Sequence, residues 1–348
     1  MMKDSGHRDC VEKALAHELS GRTPVNNFAL VTAARSAGIT VDAARWHPKA
    51  SAKVSVDYAL KTRSDFVKPV LDSQVPFADL GMNIVFPEDD YGYSRGHPVE
   101  TSEDVDALAF FDPNVAEECP LFTKVFTEGL EATAAYLPED LHVCGLSWGP
   151  LTASGYLMGA EEMLMCTFMD PGLVKKLVKK TAAFVSDMQV KMLDAGATVI
   201  WVADPTSSGD MISPDMYAEF SLDATKEVIR AAKAFEDVPA FLHICGNTLG
   251  TIPLVLGTGA DCFSLDFTVD VAAAKHAADK MSIMGNIDPV GMIMSGTPDS
   301  IDRECRRIIQ AAGTDGGFIL APGCETPQSS PDANVAAMGA AGRGFWKE

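Results

Sequence analysis

The chain has 348 residues, of which 47% are hydrophobic and 22% are charged, and its formal net charge is −20. This composition fits a globular protein with a sizeable core and excludes a disordered or fibrous one. So acidic a chain is poorly suited to phosphate backbones and anionic membrane surfaces, and we expect neither nucleic acid nor a membrane as a partner.

The amino-terminal segment and the cysteines indicate the cellular compartment. Residues 1–19 carry charges throughout and lack the apolar run of a signal peptide. No segment approaches the ~20 apolar residues that a membrane-spanning helix needs. The eight cysteines are scattered along a long chain, so we expect reduced thiols and a cytoplasmic protein. Reduced thiols remain available as metal ligands.

Eight short apolar runs, each followed by turn residues and a helical pattern, predict strands buried on both faces of a parallel sheet. In chain order they cover residues 28–33, 82–86, 141–146, 198–203, 240–244, 262–266, 282–285 and 318–321. We therefore predict an α/β protein, a (β/α)8 TIM barrel with an N-terminal helical extension, formed by residues 1–348 as a single domain. An open doubly wound sheet is the alternative, but its G-x-G-x-x-G and G-x-x-x-x-G-K-[ST] signatures do not occur.

Two helices between these strands can be placed from their end signals. One begins at Pro171 and ends before Gly196, and another covers residues 215–235 with Ser213 as N-cap and Pro214 in its first turn. The region 48–120 is interpreted as a helical, loop-rich insertion after the first strand.

Three residues at predicted strand ends form a candidate metal site. His243 and Cys245 end the run 240–244, and the strand period of two turns both side chains to the same side. Cys324 follows the last strand in a Pro-Gly turn, and reactive groups of a barrel collect at these strand ends. One imidazole and two thiolates suit Zn²⁺ and leave a fourth position for substrate.

A second H-x-C pair, His142 and Cys144, stands at another predicted strand end. A buried cysteine is commonly a small hydrophobic residue. Spacing alone therefore does not choose between the two pairs.

Five further motifs are spread between residues 9 and 340. They are Gly-Arg-Thr-Pro-Val at Arg22, Gly-Pro-Leu-Thr at 149–152, Asp-Pro at Asp170, Asp-Pro-Thr at Asp204 and Met-Gly-Asn-Ile-Asp-Pro at 284–289. With His-x-Cys before Gly-Asn and Ala-Pro-Gly-Cys near the end, the chain resembles the uroporphyrinogen decarboxylase superfamily, and within it the zinc-dependent corrinoid methyltransferases.

The resemblance implies that His243, Cys245 and Cys324 bind zinc and that His142 and Cys144 pack the barrel. It also implies transfer of a methyl group from methylcobalamin to a small thiol such as coenzyme M or homocysteine. A separate corrinoid protein that carries the methylcobalamin is the expected partner.

Polar residues near the predicted strand ends are further candidates. Asp266 and Asp288 are expected to orient His243 or a bound ligand, with helix capping as the equal alternative. A cofactor-binding group at the rim is predicted to contain Asp204, Asn247 and Asn286.

Three other functions remain as alternatives. A uroporphyrinogen decarboxylase-like lyase is disfavoured because residues 28–38 contain only Arg35 where the decarboxylases carry an Arg-rich segment. A methyl-donor:corrinoid methyltransferase of the O-demethylase type uses a zinc site of carboxylates and histidine, unlike the two cysteines here. A non-catalytic zinc- or corrinoid-binding protein is the third.

Overall fold

The structure is a computed structural model that describes residues 6–138 and 140–347. Its main sheet has seven parallel strands in the order β1, β4, β5, β6, β7, β8, β9, and two short strands, β2 and β3, pair antiparallel apart from it. The strands are β1 Phe66–Val67, β2 Ile84–Val85, β3 Tyr93–Ser94, β4 His142–Trp148, β5 Val199–Ala203, β6 Ala240–His243, β7 Cys262–Ser264, β8 Ser282–Ile287 and β9 Phe318–Pro322.

Helices alternate with the strands and form the outer layer. They are α1 His7–Leu15, α2 Val31–Ser36, α3 Val41–Trp46, α4 Pro48–Thr62, α5 Val75–Asp79, α6 Ser102–Ala107, α7 Pro120–Phe122, α8 Glu128–Tyr136, α9 Pro150–Met158, α10 Ala160–Met169, α11 Pro171–Asp194, α12 Pro214–Phe220, α13 Leu222–Phe235, α14 Ile252–Val255, α15 Val271–Ala277, α16 Pro298–Ala312 and α17 Asp332–Gly344. Single turns of π-helix cover Thr123–Thr127 and Pro289–Met294, and 3₁₀ turns cover Pro205–Ser207, Leu256–Thr258 and Phe345–Lys347. None of the described helices is long and apolar enough to cross a membrane.

The sheet curls until its two edge strands approach the same residue, Val25. Val25 forms an isolated parallel bridge with Leu320 of β9, and its carbonyl accepts the N–H of Asp65, just before β1, at 2.7 Å. The fold is therefore α/β and TIM-barrel-like, and six of the eight predicted strands lie in the sheet.

The predicted strand 28–33 is wrong. The side chains of Asn26 and Asn27 accept hydrogen bonds from the backbone N–H groups of Phe28 and Ala29 at 2.9 and 3.2 Å. These local turns end the extended chain after Val25, and Phe28 has a φ of 40°. Helix α2 then begins at Val31.

The predicted strand 82–86 and the insertion 48–120 also need correction. Residues Ile84–Val85 form the small antiparallel pair with Tyr93–Ser94 rather than a strand of the main sheet. The region 48–120 contains β1, which pairs with β4. A two-residue strand followed by Lys68 and Pro69 has too little apolar length to stand out in the sequence.

The predicted helices agree closely with the structure. Pro171 begins α11, and Gly196, with a φ of 103°, follows its end. Ser213 caps α12 by accepting the N–H of Met216. The single helix expected over residues 215–235 is divided at Ser221 into α12 and α13.

The amino-terminal helix α1 lies across the amino ends of several strands. The carbonyl of Ala14 accepts hydrogen bonds from Gly317 N, next to β9, and from Ser282 Oγ, at the start of β8. Arg8 Nε donates to the carbonyl of Leu141, next to β4. Helix α4, by contrast, packs on α8 and α17 in the outer layer.

Aromatic rings fill the space inside the curled sheet. Phe241 contacts the rings of Phe66 and Trp201 at centroid distances of 5.4 and 5.5 Å, and Phe28 contacts Trp201 at 5.1 Å. Phe28 also packs edge-on against the imidazole of His243 at 5.3 Å. The packed interior therefore supports the strand end at which the candidate metal ligands lie.

Candidate metal centre

His243, Cys245 and Cys324 are brought together at the carboxyl ends of the strands. His243 is the last residue of β6, Cys245 follows two residues later, and Cys324 comes two residues after β9. His243 Nε2 lies 3.2 Å from Cys245 Sγ, and the two sulfurs are 3.7 Å apart. The three donor atoms lie within 4.8 Å of one another. Among the described residues, these three form the group that could hold a metal ion.

These separations fit a tetrahedral zinc site. With zinc–sulfur bonds of about 2.3 Å and tetrahedral angles, two thiolates on one ion lie ~3.8 Å apart, close to the observed sulfur separation. Zinc–nitrogen bonds of about 2.0 Å give a nitrogen–sulfur separation of ~3.5 Å, a few tenths above the observed one. Two thiolates and an imidazole are also the donor chemistry that zinc prefers.

The two cysteines lie within hydrogen-bonding distance of each other. The hydrogen bond from the Cys245 thiol lowers the pKa of Cys324 to about 4, and the same bond raises the pKa of Cys245. A divalent cation would displace the thiol protons of this pair and bind both sulfurs as thiolates.

The other nitrogen of His243 is held by the neighbouring strand. Nδ1 lies 3.0 Å from Ser264 Oγ and 3.2 Å from the Ser264 carbonyl. A carbonyl only accepts hydrogen bonds, so this contact fixes the proton on Nδ1 and leaves Nε2 as the ligand atom. The imidazole is buried, with 2% of its surface exposed.

A cavity of about 310 Å³ opens beside the three residues and is lined by all of them. Leu146, Trp148, Ala203 and Pro205 contribute apolar wall at the ends of β4 and β5. Further wall comes from the loops after β1 and around β3, namely Leu71, Asp72, Ser73, Gln74, Tyr91 and Gly92. The volume is at the small end of the range for small-molecule sites.

Glu325, which follows Cys324, also lines the cavity. Its carboxylate accepts the Tyr91 hydroxyl at 2.6 Å, and burial raises the pKa of Glu325 to about 7. Lys68 lies behind Phe28, with its ammonium 4.4 Å from the Phe28 ring centroid, and it donates to Asn26 Oδ1 at 2.8 Å. Burial lowers the pKa of Lys68 to about 8.

The two aspartates expected to orient His243 contact other groups. Asp266 Oδ1 accepts the N–H and hydroxyl of Thr268, both at 2.9 Å. Asp288 Oδ1 accepts the N–H groups of Val290 and Gly291 and so caps the turn that follows β8. The residue that contacts His243 Nδ1 is Ser264, where a carboxylate was expected.

The expected cofactor-binding group is spread over the site rather than gathered. Asp204 is fully buried and accepts hydrogen bonds from Thr152 N and Oγ1, Ser207 Oγ and Ser221 Oγ. Asn286 donates from its amide to the carbonyls of Asp266 and Val269. The side chain of Asn247 is exposed, and its backbone N–H donates a hydrogen bond to the Asp210 carboxylate. Asp204 and Asn286 therefore hold loops together.

The second H-x-C pair lies elsewhere. β4 begins at His142, so His142 and Cys144 lie towards the amino end of their strand, whereas His243 ends β6. Both residues are buried, and His142 stacks on Phe66 at 5.6 Å. Their position fits the packing role expected from the resemblance.

Sequence reasoning missed Ser264, Glu325 and Tyr91. Glu325 was adjacent to a predicted ligand, which was a usable signal. Tyr91 is 234 residues from Glu325, and no local pattern links residues so far apart.

Comparison with known proteins places the chain in a family. Methylcobamide:CoM methyltransferase MtbA of Methanosarcina acetivorans is 26% identical over 242 residues, which cover 70% of this chain and 68% of that protein. A uroporphyrinogen decarboxylase of Picosynechococcus sp. is 30% identical over 281 residues, covering 76% of each. A solved methyltransferase from Methanosarcina mazei superposes with a TM-score of 0.86 at 21% identity, over 98% of this chain and 99% of that one. The sequence profile of the Uroporphyrinogen decarboxylase (URO-D) family matches residues 7–345, and the chain therefore belongs to that family.

Proposed function

We propose that this protein is a methyltransferase that moves a methyl group from a methylcorrinoid to a small thiol such as coenzyme M or homocysteine. The observation that carries the proposal is the set of one imidazole and two thiols in the wall of the cavity. Three protein ligands leave a fourth zinc position for a substrate atom, whereas structural zinc sites are closed by four.

Zinc held by His243, Cys245 and Cys324 would supply a Lewis acid that stabilises a substrate thiol as its thiolate near neutral pH. The chain itself fixes the ligands. Ser264 orients the imidazole, Phe28 packs against its ring, and Cys324 is carried on the turn after β9.

The cavity wall positions the reacting groups and excludes water. Leu146, Trp148 and Ala203 present apolar surface beside the ligands, which favours close approach of the sulfur and the methyl carbon. A thiolate sulfur forms the new bond to carbon while the cobalt–carbon bond breaks, and cobalt(III) leaves as cobalt(I). The thiol proton passes to solvent, so no general acid is needed at the methyl carbon.

Methylcobalamin would arrive on a separate corrinoid protein. The 348 residues contain one Asp-x-His-x-x-Gly run, at 140–145, but its His142 is buried and stacks on Phe66 inside the sheet, where it is not available to anchor a corrinoid. The name of the relative MtbA specifies a methylcobamide. The cavity lies at the carboxyl ends of the strands, where the substrates of barrel enzymes enter. All eight cysteines are free, which fits our expectation of a reducing cytoplasm.

The decarboxylase and O-demethylase alternatives are less well supported. A porphyrinogen carries many carboxylates, but no lysine or arginine is among the described residues that line the cavity. The O-demethylase type uses carboxylates with histidine, whereas two of the three candidate ligands here are thiols.

The test follows demethylation of methylcobalamin by its absorbance, with coenzyme M and homocysteine as acceptors and zinc-loaded protein. We expect His243→Ala and Cys245→Ala to lose zinc and at least about 100-fold of the rate. Cys144→Ala is the matched control, because it alters the other H-x-C pair away from the cavity, and it should retain both. Undiminished activity in His243→Ala would exclude the proposal.

A further inference from the structure

The charged groups in the cavity wall are of one sign. Asp72 and Glu325 contribute carboxylates, and the described lining residues include neither lysine nor arginine. A sulfonate or carboxylate on a ligand therefore finds no cationic side chain to pair with, and burying an unpaired anion is costly.

Asp72 is already neutralised by the protein. Its carboxylate accepts Arg45 Nε at 2.9 Å, Gly92 N at 2.7 Å and Gln74 N at 3.0 Å. Arg45 is fully buried and gives its other donors to Asp42 and to the carbonyls of Pro87 and Asp90. Neither member of this ion pair is left to bind a ligand.

Glu325 retains acceptor capacity towards the cavity. A carboxylate has about four lone-pair sites, and the Tyr91 hydroxyl at 2.6 Å and the backbone N–H of Val31 occupy two of them. Glu325 lines the cavity and lies next to the metal ligand Cys324 in the chain. The ammonium of Lys68 is turned to Asn26 and to the faces of Phe28 and Trp201, and Lys68 does not line the cavity.

A second acceptor in the same wall is without a partner. Gln74 is buried, with 3% of its surface exposed. Its side-chain amide is hydrogen-bonded to Tyr156, and its Oε1 makes no hydrogen bond within the described structure. Buried polar atoms are rarely left unpaired. Trp148 Nε1 is a neutral, unpaired donor in the same wall of the described structure. The two acceptors, Gln74 Oε1 and the Glu325 carboxylate, therefore favour a ligand group that donates hydrogen bonds.

We propose that the acceptor thiol carries an ammonium or hydroxyl group beyond its sulfur, and not a sulfonate or carboxylate alone. This inference rests on the proposed function and names the acceptor class for the same site. Coenzyme M, with its sulfonate, is then a poorer acceptor than a thiol of equal length that ends in an amine or an alcohol.

The test compares three two-carbon thiols that differ only in their end group: cysteamine, 2-mercaptoethanol and coenzyme M. Each is assayed with methylcobalamin for kcat/KM, and each is titrated against cobalt(II)-substituted protein, where thiolate binding gives a charge-transfer absorption. We expect cysteamine to bind at least about tenfold more tightly than coenzyme M, with 2-mercaptoethanol between them.

Glu325→Gln tests the residue responsible. It removes the negative charge and should reduce the preference for cysteamine over coenzyme M about tenfold in both readouts. Asp89→Asn is the control, because it removes one charge from an exposed position in the loop that carries Tyr91, and it should leave the ratio unchanged. If Glu325→Gln fails to bind metal, the inference is still tested by the order of kcat/KM and affinity for the three thiols on the unmodified protein.

The failures are distinguishable. Zinc-dependent methyl transfer that prefers coenzyme M overturns this inference and leaves the proposed function standing. If no thiol accepts a methyl group or binds the cobalt(II) protein, the proposed function falls and the acceptor class falls with it.

Discussion

His243 and Ser264 are directly paired neighbours at the ends of β6 and β7, and the imidazole Nδ1 lies 3.0 Å from the Ser264 hydroxyl. This contact joins the sheet register to the orientation of the metal ligand. Since the Ser264 carbonyl also lies within 3.2 Å of Nδ1, the imidazole keeps one partner when the hydroxyl is removed.

We therefore predict that Ser264→Ala weakens zinc binding by about tenfold, at the low end of the usual cost of losing a ligand's hydrogen-bond partner. Competition with a chromophoric chelator measures this directly. Ser264→Thr keeps the hydroxyl and should bind zinc like the unmodified protein. Equal zinc affinity in the alanine variant would mean that the carbonyl alone orients His243.

The strand register also explains why the sequence predicted the metal ligands correctly but not the residue that hydrogen-bonds to His243. His243 and Cys245 stand at the end of a strongly apolar run, so their position followed from the run itself. β7 ends at Ser264, two residues before the predicted end of the run 262–266. Which residue faces His243 depends on pairing between strands, and Asp266 was chosen because strand length is not fixed by local sequence.

The loops over the cavity were the least predictable part. Asp72, Gln74 and Tyr91 lie in a region interpreted as an insertion, because β1 contributes only two residues to the sheet. The strand predicted at residues 28–33 was wrong for a similar reason. Asn26 and Asn27 end the extended segment through side-chain hydrogen bonds, which a hydropathy pattern does not reveal. Long strands of the sheet, such as β4 and β5, were found within one or two residues at most ends.

Gly323 is predicted to be required for the position of Cys324. A Cβ at residue 323 would lie 2.3 Å from the backbone N of Phe267, which no side-chain rotation can relieve. Gly323→Ala should therefore displace the turn that carries Cys324 and weaken zinc binding by about tenfold or more. Gly250→Ala is the control, because its Cβ would meet only Pro214 at 3.6 Å. Normal zinc affinity in Gly323→Ala would show that the Phe267 loop yields without moving the ligand.

Asp204 is predicted to stabilise the fold rather than to bind a cofactor. Its carboxylate is fully buried and accepts four hydrogen bonds, which join Thr152 at the start of α9 to Ser207 after β5 and to Ser221 between α12 and α13. Asp204→Asn should lower the free energy of unfolding by about 2–4 kcal/mol in urea titrations, because an amide cannot accept the same set of donors. The exposed Asp237 serves as control, and Asp237→Asn should change stability by less than about 0.5 kcal/mol. Zinc affinity should be retained in folded Asp204→Asn, and a selective loss of ligand binding at full stability would restore the cofactor role.

His142 is predicted to make the folded protein sensitive to acid. Burial lowers the pKa of His142 to about 4 from its ordinary value of 6.5, and its Nε2 has no hydrogen-bond partner within the described structure. Between pH 6.5 and 4 the unfolded chain binds a proton at this residue and the folded protein does not, so stability falls as the pH falls through this window. Over this window the free energy of unfolding falls by about 3 kcal/mol because of His142.

His142→Gln removes the titration. The difference between its free energy of unfolding and that of the unmodified protein should therefore change by about 3 kcal/mol between pH 7 and pH 4. The exposed His276 provides the control, since the curve for His276→Gln should run parallel to that of the unmodified protein. A constant difference for His142→Gln across the same pH range would show that His142 has the same pKa in the folded and unfolded protein.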